Sequence, residues 1–202
     1  LEAPEGLELG GDLREVTIMM SDICGFTGLA ERLPPPQVVS ILNRYFEHMT
    51  GIIFDHGGTI DEFLGDAILA VFGAPHRHDD DPSRAVRCAL AMQEAISVVN
   101  AENEAEGLPT IQHRIALNTG SVIAGNIGSD RRAKYGCVGH AMNVTSRIEG
   151  ETYPDEILVS SDTRSALPRD AFYFGEARHL SVKGIEVAIV VYPVLGVGTS
   201  HV

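Results

Sequence analysis

Two aspartates lie where predicted strands end, at positions that can bring two carboxylates together. Asp22 closes the buried strand-like run at residues 16–21 and precedes a loop that leads into a helix. Asp66 lies in a Gly-Asp turn between the strand-like segments Thr59–Leu64 and Ala67–Phe72, which predicts a hairpin tip. If the hairpin pairs beside the first strand, both carboxylates meet at one sheet edge and suit Mg²⁺ or Mn²⁺. A lone Asp after a strand is more often a turn or cap residue, so the pair requires further support.

A short helix predicted at residues 139–149 supplies that support. Its i, i+4 spacing places Asn143 and Arg147 on one face and Val144 and Ile148 on a neighbouring apolar face. An Arg on a helix surface is usually a solvated charge. Here its partner is an amide that can orient a sugar, and a guanidinium suits a phosphoryl group that gains charge.

The remaining pattern predicts an α+β fold. Helical spacing runs over residues 38–53 and stops at 57–58, and a second helix is expected at 81–106. Strands are expected at 112–118 and 122–126. The order βαββαβ is the ferredoxin-like arrangement, with a mostly antiparallel sheet covered on one face by helices.

Two other segments attract attention and are interpreted conservatively. The His/Asp-rich run at 76–81 is predicted to be a solvated loop and helix start rather than a metal cluster. The glycines at 120–128 lack the dinucleotide-binding fingerprint and predict a turn followed by a tightly packed strand.

Four segments in order resemble the motifs of class III nucleotidyl cyclases, the catalytic domains of adenylyl and guanylyl cyclases. They are Ser-Asp-Ile-Cys-Gly-Phe-Thr at 21–27, Phe-Leu-Gly-Asp-Ala at 63–67, Asn-Val-Thr-Ser-Arg at 143–147 and Val-Lys-Gly at 182–184. The likeness runs from about residue 14 to about residue 194. It implies the same ferredoxin-like fold and the conversion of a purine nucleoside triphosphate to its 3′,5′-cyclic monophosphate and pyrophosphate.

The resemblance also implies roles for the residues that match. Asp22, Asp66 and the Ile23 carbonyl would hold two divalent metal ions, Mg²⁺ or Mn²⁺, that act on the ribose 3′-OH and the leaving pyrophosphate. The backbone N–H groups of Phe26 and Thr27 would bind the β- and γ-phosphates.

A second set of matching residues would bind the ribose and phosphates. Arg114 matches the phosphate-binding Arg of the family, and Asn143 would position the ribose. Arg147 and Lys183 would stabilise charge on the transferring and leaving phosphates. In the family, the metal aspartates and the Asn/Arg pair come from opposite subunits, so we expect a homodimer with shared active sites.

Base choice depends on Glu62 and Gly136. Adenylyl cyclases carry a Lys where this chain has Glu62, and a carboxylate accepts hydrogen bonds from guanine N1–H and its 2-amino group but repels adenine N1. Guanylyl cyclases usually carry a Cys near guanine O6, where this chain has Gly136, with Cys137 one residue late. The sequence therefore favours GTP as substrate, with weaker discrimination than two side-chain contacts would provide.

Composition is consistent with one catalytic domain. The chain has 202 residues, 44% of them hydrophobic, and a formal net charge of −13, which argues against binding to nucleic acid or an anionic membrane. Cys24, Cys88 and Cys137 form no CxxC motif and favour a reducing, cytoplasmic location. The longest apolar stretch, 187–198, contains Pro193 and is too short to cross a bilayer, and no signal peptide is visible.

We predict a catalytic domain at residues 13–196, with a linker at 1–12, a tail at 197–202 and regulatory domains upstream. The predicted activity is that of a guanylyl cyclase that makes cyclic GMP for signalling. Two alternatives remain: an adenylyl cyclase of the same family, and a regulatory or dimerisation module that has lost the chemistry. A diguanylate cyclase would instead carry a Gly-Gly-(Asp/Glu)-Glu-Phe turn at the hairpin tip.

Overall fold

The computed structural model describes residues 9–129, 132–181 and 188–198. Strands and helices alternate along most of this length. In chain order they are β1 Gly10–Ile23, α1 Phe26–Arg32, α2 Pro35–Asp55, β2 Thr59–Leu64, β3 Ala67–Phe72, α3 Asp81–Ala105, β4 His113–Ser129, β5 Arg132–Val138, α4 His140–Gly150, β6 Ile157–Ser160, α5 Ser161–Ala166, β7 Phe172–Phe174, β8 Arg178–Leu180 and β9 Ile189–Val197.

The sheet has the strand order β2-β3-β1-β4-β6-β9-β7, with β5 paired to β4 and β8 paired to β9. Only the pairing of β4 with β6 is parallel among the described strands. The first four strands of the chain, with α2 and α3 between them, form the predicted βαββαβ unit. The α+β fold class and the ferredoxin-like core are therefore confirmed.

The two faces of the sheet carry different helices. Met19 and Ile23 of β1 belong to a core that includes the buried residues of α2 and α3. Ile18 projects to the opposite face, where it packs with Val122 and with Ala141 of α4. The expectation that helices cover one face was therefore incomplete, because α4 lies on the other.

Helix α2 has the apolar spacing that its sequence predicts. Ile41, Tyr45, Met49 and Ile53 recur every four residues and are all buried. Proline in its first turn supplies the backbone angle of a helix start without losing a hydrogen bond. The chain leaves the helix through Gly57, whose φ of 76° suits glycine.

Strand β4 is continuous through the glycines that we expected to form a turn. It runs from His113 to Ser129, so the prediction of separate strands at 112–118 and 122–126 was wrong. A Cβ on Gly120 would lie 2.9 Å from the Cβ of Ala141, and this shows why glycine is needed there. Gly120 allows α4 to pack closely against β4 rather than reversing the chain.

The first strand is longer than its hydrophobic run suggested. Strand β1 begins at Gly10, so the end of the expected linker, residues 10–12, pairs with residues 124–126 of β4. A Cβ on Gly125 would lie 2.1 Å from the Gly10 carbonyl oxygen, because the two backbones approach closely here. No helix in the described part of the chain is long and apolar enough to cross a membrane.

Candidate active site

Asp22 and Asp66 lie side by side at the ends of two neighbouring elements. The β2–β3 hairpin pairs with β1 through β3, so its tip lies beside the end of β1. Gly65 adopts a φ of 67° at this tip, and the Ile23 N–H donates a hydrogen bond to Asp66 Oδ2 at 3.2 Å. Burial and the adjacent Asp22 carboxyl raise the pKa of Asp66. The two carboxylates therefore repel each other when both are charged.

The donor set of this pair fits a hard divalent cation. Two carboxylates and the carbonyl of Ile23, which ends β1, are oxygen ligands of the kind that Mg²⁺ and Mn²⁺ prefer. Within residues 9–129, 132–181 and 188–198, no group of three or more His, Cys, Asp or Glu side chains is arranged as a metal site. The protein thus offers a partial ligand set, which the oxygens of a bound triphosphate would complete.

Arg114 connects the carboxylate pair to α4. Arg114 lies opposite Asp22 in the β1–β4 register, and its Nη2 donates to Asp22 Oδ2 at 2.9 Å. Its Nε lies 2.5 Å from Glu149 Oε1 and forms an ion pair with it. The two atoms do not form a hydrogen bond, because the Nε–H is not directed at this oxygen. Burial raises the pKa of Glu149 and Arg114 opposes this shift. Our sequence reasoning missed Glu149, and its only signal was an acidic side chain near Arg147 on the predicted helix.

A cluster of buried polar side chains lies behind the ends of β1 and β4, on the sheet face that α2 covers. The Tyr45 hydroxyl donates to Ser21 Oγ at 3.1 Å and lies 3.5 Å from His113 Nδ1. Burial lowers the pKa of His113 to about 4, so its ring is neutral. A hydrogen on Nδ1 would then point at the tyrosine oxygen and leave Nε2 as a buried acceptor without a partner among the described residues. These contacts tie α2 to the strands that carry Asp22 and Arg114.

Phe26 and Thr27 occupy the first turn of α1. Gly25 precedes them with a φ of 68°, and no side chain caps this helix. First-turn N–H groups have no partner within a helix. Cys24 is held nearby by a backbone hydrogen bond to the Gln112 carbonyl at 2.8 Å, and burial raises the pKa of its thiol to about 11.

Asn143 and Arg147 lie on α4, as predicted, with Ile148 buried beneath them. Asn143 is exposed, whereas Nη1 of Arg147 is buried and has no hydrogen-bond partner in the described part of the chain. No hydrogen bond or ion pair among the described residues joins either side chain to Asp22 or Asp66. Lys183 lies outside the described residues.

The two residues predicted to contact the base, Glu62 and Gly136, lie where β2 meets β5. A β-bulge at Asp61 shifts the β2–β3 register, and Asp61 Oδ1 accepts a hydrogen bond from the Cys137 N–H at 3.0 Å. Glu62 is half exposed and forms an ion pair with Lys134, with 3.3 Å between Oε1 and Nζ. Gly136 lies beside Asp61, since a Cβ there would be 3.0 Å from Asp61 Oδ1. Sequence reasoning missed Asp61 and Lys134, which flank the predicted pair.

A family model described as the adenylate and guanylate cyclase catalytic domain matches residues 11–196. The chain belongs to this family. It is a class III nucleotidyl cyclase catalytic domain, and the resemblance found in its motifs is confirmed.

Solved cyclase structures share the fold of this domain over nearly its full length. The crystal structure of the guanylyl cyclase Cya2 has a TM-score of 0.91 at 45% identity, covering 96% of this chain and 98% of that one. The adenylyl cyclase CyaB from P. aeruginosa has a TM-score of 0.89 at 31% identity, covering 96% and 100%. Both kinds of cyclase are thus similar to this domain.

One curated relative is much longer than this chain. Adenylate cyclase 1 of Rhizobium meliloti (strain 1021) is 34% identical over 186 residues, which cover 91% of this chain. The cyclase domain spans only 28% of that relative's length.

Proposed function

We propose that this domain is a guanylyl cyclase that converts GTP to 3′,5′-cyclic GMP and pyrophosphate. The ribose 3′ oxygen attacks the α-phosphorus and loses its proton, while the bond from the α-phosphorus to the oxygen bridging to the β-phosphate breaks. The observation that carries the cyclase chemistry is the adjacent pair Asp22 and Asp66, held by the Ile23 N–H. A module that had lost the chemistry would have no need to keep two carboxylates in contact at this cost in repulsion.

The roles of the individual side chains follow from their chemistry. Two divalent cations, Mg²⁺ or Mn²⁺, held by Asp22, Asp66 and the Ile23 carbonyl, would supply Lewis acidity to the 3′-OH and the leaving pyrophosphate. The backbone N–H groups of Phe26 and Thr27 bind the β- and γ-phosphates.

Arg114 leaves Asp22 as the triphosphate enters and binds a phosphate oxygen instead. Asn143 orients the ribose. Arg147 and Lys183 stabilise the charge that develops during transfer.

The substrate assignment depends on Glu62. Its carboxylate is half exposed at the junction of β2 and β5, where a ligand can reach it. An ionised carboxylate accepts from guanine N1–H and the 2-amino group, whereas adenine presents a bare N1 that it would repel. An adenylyl cyclase is the second candidate, because relatives of both names are similar to this domain and Gly136 has no side chain to contact O6.

Two chains are needed to complete one active site. Successive residues of a helix are about 100° apart, so Arg147 projects from nearly the opposite side of α4 from Glu149. Glu149 contacts Arg114 beside Asp22 of its own chain, and Arg147 therefore points away from that site. We infer that Asn143 and Arg147 complete the site of a second copy, in a two-fold homodimer.

A row of exposed apolar side chains is available for the interface of this homodimer. Leu13, Ile123 and Val138 lie side by side across β1, β4 and β5. They are 73%, 40% and 51% exposed, respectively. Contiguous apolar side chains of this kind mark interaction surfaces.

The location we propose is cytoplasmic, where GTP is abundant. Cys24, Cys88 and Cys137 are all free thiols in this fold, as a reducing compartment would maintain them. Since the domain spans only part of the length of its Rhizobium meliloti relative, we further propose that regulatory domains accompany it in the full protein.

A nucleotide-selectivity assay tests the function. The purified domain, with Mn²⁺ or Mg²⁺, should turn over GTP faster than ATP. Glu62→Lys should lower the GTP/ATP ratio of kcat/KM by about tenfold to a hundredfold, the range for losing one matched polar contact. Glu94→Lys, a matched charge reversal at an exposed position of α3, should leave the ratio unchanged. Faster turnover of ATP by the parent domain would contradict the assignment.

A further inference from the structure

Ser21 and His113 lie directly behind the pair formed by Asp22 and Arg114. In the β1–β4 register Asp22 is opposite Arg114, on the sheet face where Glu149 of α4 contacts Arg114. Ser21 and His113 each precede one member of this pair in the chain. Because side chains alternate along a strand, both project to the other face of the sheet, where they contact α2.

The hydroxyl of Tyr45 joins Ser21 to His113. It donates a hydrogen bond to Ser21 Oγ at 3.1 Å and lies 3.5 Å from His113 Nδ1. Tyr45 and Ser21 are 0% exposed and His113 is 1% exposed, so bulk water cannot replace these contacts. One hydroxyl group of α2 therefore spans the ends of β1 and β4, immediately behind the residues that hold the candidate site.

The next residue of α2 contacts the hairpin that carries Asp66. The rings of Phe46 and Phe63 have centroids 4.7 Å apart and are tilted by 44°. Phe63 belongs to β2 and lies three residues before Asp66 in the chain. Tyr45 and Phe46 thus contact the two elements whose ends bring Asp22 and Asp66 together.

We propose that Tyr45 and Phe46 are positioning residues that fix the separation of the Asp22 and Asp66 carboxylates and so preorganise the pair for a divalent cation. Two charged carboxylates repel each other, and the contacts with α2 oppose the separation of the elements that carry them. Ligands that are held in place before an ion arrives bind it more tightly. This inference rests on the proposed function, because it assumes that the pair holds the metal.

Calorimetry with Mn²⁺ tests the two positions. Tyr45→Phe removes the hydroxyl and keeps the ring, and it should weaken Mn²⁺ binding by about threefold to tenfold, the range that one hydrogen bond can supply. Phe46→Leu removes the ring contact with Phe63 and should weaken binding by a similar factor. In both variants, saturating Mn²⁺ should restore kcat to within about twofold of the parent, because neither side chain touches the substrate.

Amide hydrogen exchange provides a readout that needs no metal. The Ile23 N–H donates to Asp66 Oδ2 at 3.2 Å, so this hydrogen bond exists only while the two carboxylate-bearing elements are together. In the metal-free domain, Tyr45→Phe and Phe46→Leu should each speed exchange of the Ile23 N–H by about threefold or more. The reference is the amide of Leu117 in the buried centre of β4, which reports general loosening of the fold.

Ile53→Val is the matched control. Ile53 is fully buried and lies eight residues after Tyr45 on α2, so the substitution destabilises the same helix away from the strand ends. This variant should melt at a lower temperature than the parent, as Tyr45→Phe should. Its Mn²⁺ affinity and its Ile23 exchange should both match the parent.

Ser21→Ala removes the Tyr45 hydrogen bond from the side of the strand. It should reproduce both effects of Tyr45→Phe, and it replaces that variant if Tyr45→Phe does not fold. In the double variant, the loss of Mn²⁺ affinity should be smaller than the two single losses combined, because one hydrogen bond is removed only once.

The outcomes separate this inference from the proposed function. If Tyr45→Phe or Phe46→Leu behaves like Ile53→Val in both readouts, that residue only supports the fold and its positioning role is refuted. If instead a folded Asp66→Asn variant binds Mn²⁺ as tightly as the parent, the metal site itself is wrong, and the proposed function fails together with this inference.

Discussion

Arg147 and Glu149 are two residues apart in α4 but serve different active sites in the proposed dimer. Glu149 contacts Arg114 beside Asp22 of its own chain, while Arg147 has a buried Nη1 without a partner among the described residues. We therefore predict that inactive Asp22→Ala and Arg147→Ala chains will restore cyclase activity when mixed. Each mixed dimer should contain one intact site, so its activity should approach half that of the parent dimer.

The matched control for this mixture is Asp22→Ala with Asp66→Ala. Both substitutions damage the same half of a site, so no combination of chains yields an intact one. Subunit exchange should be verified by mass spectrometry of the mixture. Exchange without recovery in the Asp22/Arg147 mixture would contradict a shared site.

Asp66→Asn tests the carboxylate pair as a metal site. The variant should lose cyclisation and should bind Mn²⁺ more weakly in calorimetry. Burial and Asp22 raise the pKa of Asp66, which means that its charge destabilises the fold above that pKa. The variant should therefore melt, without metal at pH 8, at or above the temperature of the parent. Parent-like Mn²⁺ affinity would refute the site.

Glu149→Gln should weaken the binding of the metal ion to the Asp22 and Asp66 pair. With the acid neutralised, the positive charge of Arg114 acts on Asp22 alone, 2.9 Å away, and competes more strongly with a cation. The Mn²⁺ concentration for half-maximal activity should rise about fivefold, equivalent to about 1 kcal/mol. Glu151→Gln, an exposed position just beyond α4, is the control and should leave this concentration unchanged.

His113 should make the fold sensitive to acid. Burial lowers its pKa from 6.5 to about 4, although the charge of Asp155 opposes this. The unfolded chain binds the proton first, so the free energy of unfolding should fall as pH decreases from about 6.5 to about 4, by about 3 kcal/mol in total.

His113→Phe cannot titrate and retains a ring against Tyr45. Its urea-unfolding free energy should therefore depend less steeply on pH between 6.5 and 4 than that of the parent. Parallel pH profiles for the two proteins would show that His113 is not the responsible group.

Adding a side chain at Gly136 should crowd the Asp61 carboxylate and destabilise the domain. A Cβ there would lie 3.0 Å from Asp61 Oδ1, which already accepts from the Cys137 N–H. Gly136→Ala should destabilise the domain by about 1 kcal/mol. In combination with Asp61→Ala, which removes the crowded oxygen, it should cost less than the two single effects added. Simple additivity in urea unfolding would contradict this contact.

Local sequence patterns predicted much of this fold. The features that they missed depend on contacts between residues far apart in the chain. The Gly-Asp turn between two strand-like segments was sufficient to predict the hairpin, because turn chemistry is local. Gly120 was misleading, because its small size serves a helix that comes later in the chain. A glycine that permits close packing and one that turns the chain look alike until the partner is known.

The residues of the candidate site divide in the same way, into those that short motifs identify and those that only long-range contacts identify. The proposed metal and phosphate positions could be named from the sequence because their residue types are distinctive in short motifs. Glu149, Asp61 and Lys134 were missed because an ordinary acid or lysine acquires meaning only from the strand or helix that it faces. The contact of Asp61 with β5 depends on a β-bulge that no local pattern in β2 predicts.

The bulge in β2 also makes the arrangement of Asp61 and Glu62 depend on the length of the strand. Because side chains alternate along a strand, the extra residue at Asp61 decides which carboxylate binds the Cys137 N–H and which stays open to a ligand. Deleting one residue from β2 would exchange these two tasks, and a carboxylate would still face the ligand. A change in the length of β2 would therefore alter the reach of that carboxylate, because an Asp side chain is one methylene shorter than a Glu side chain, while its preference for hydrogen-bond donors would stay the same.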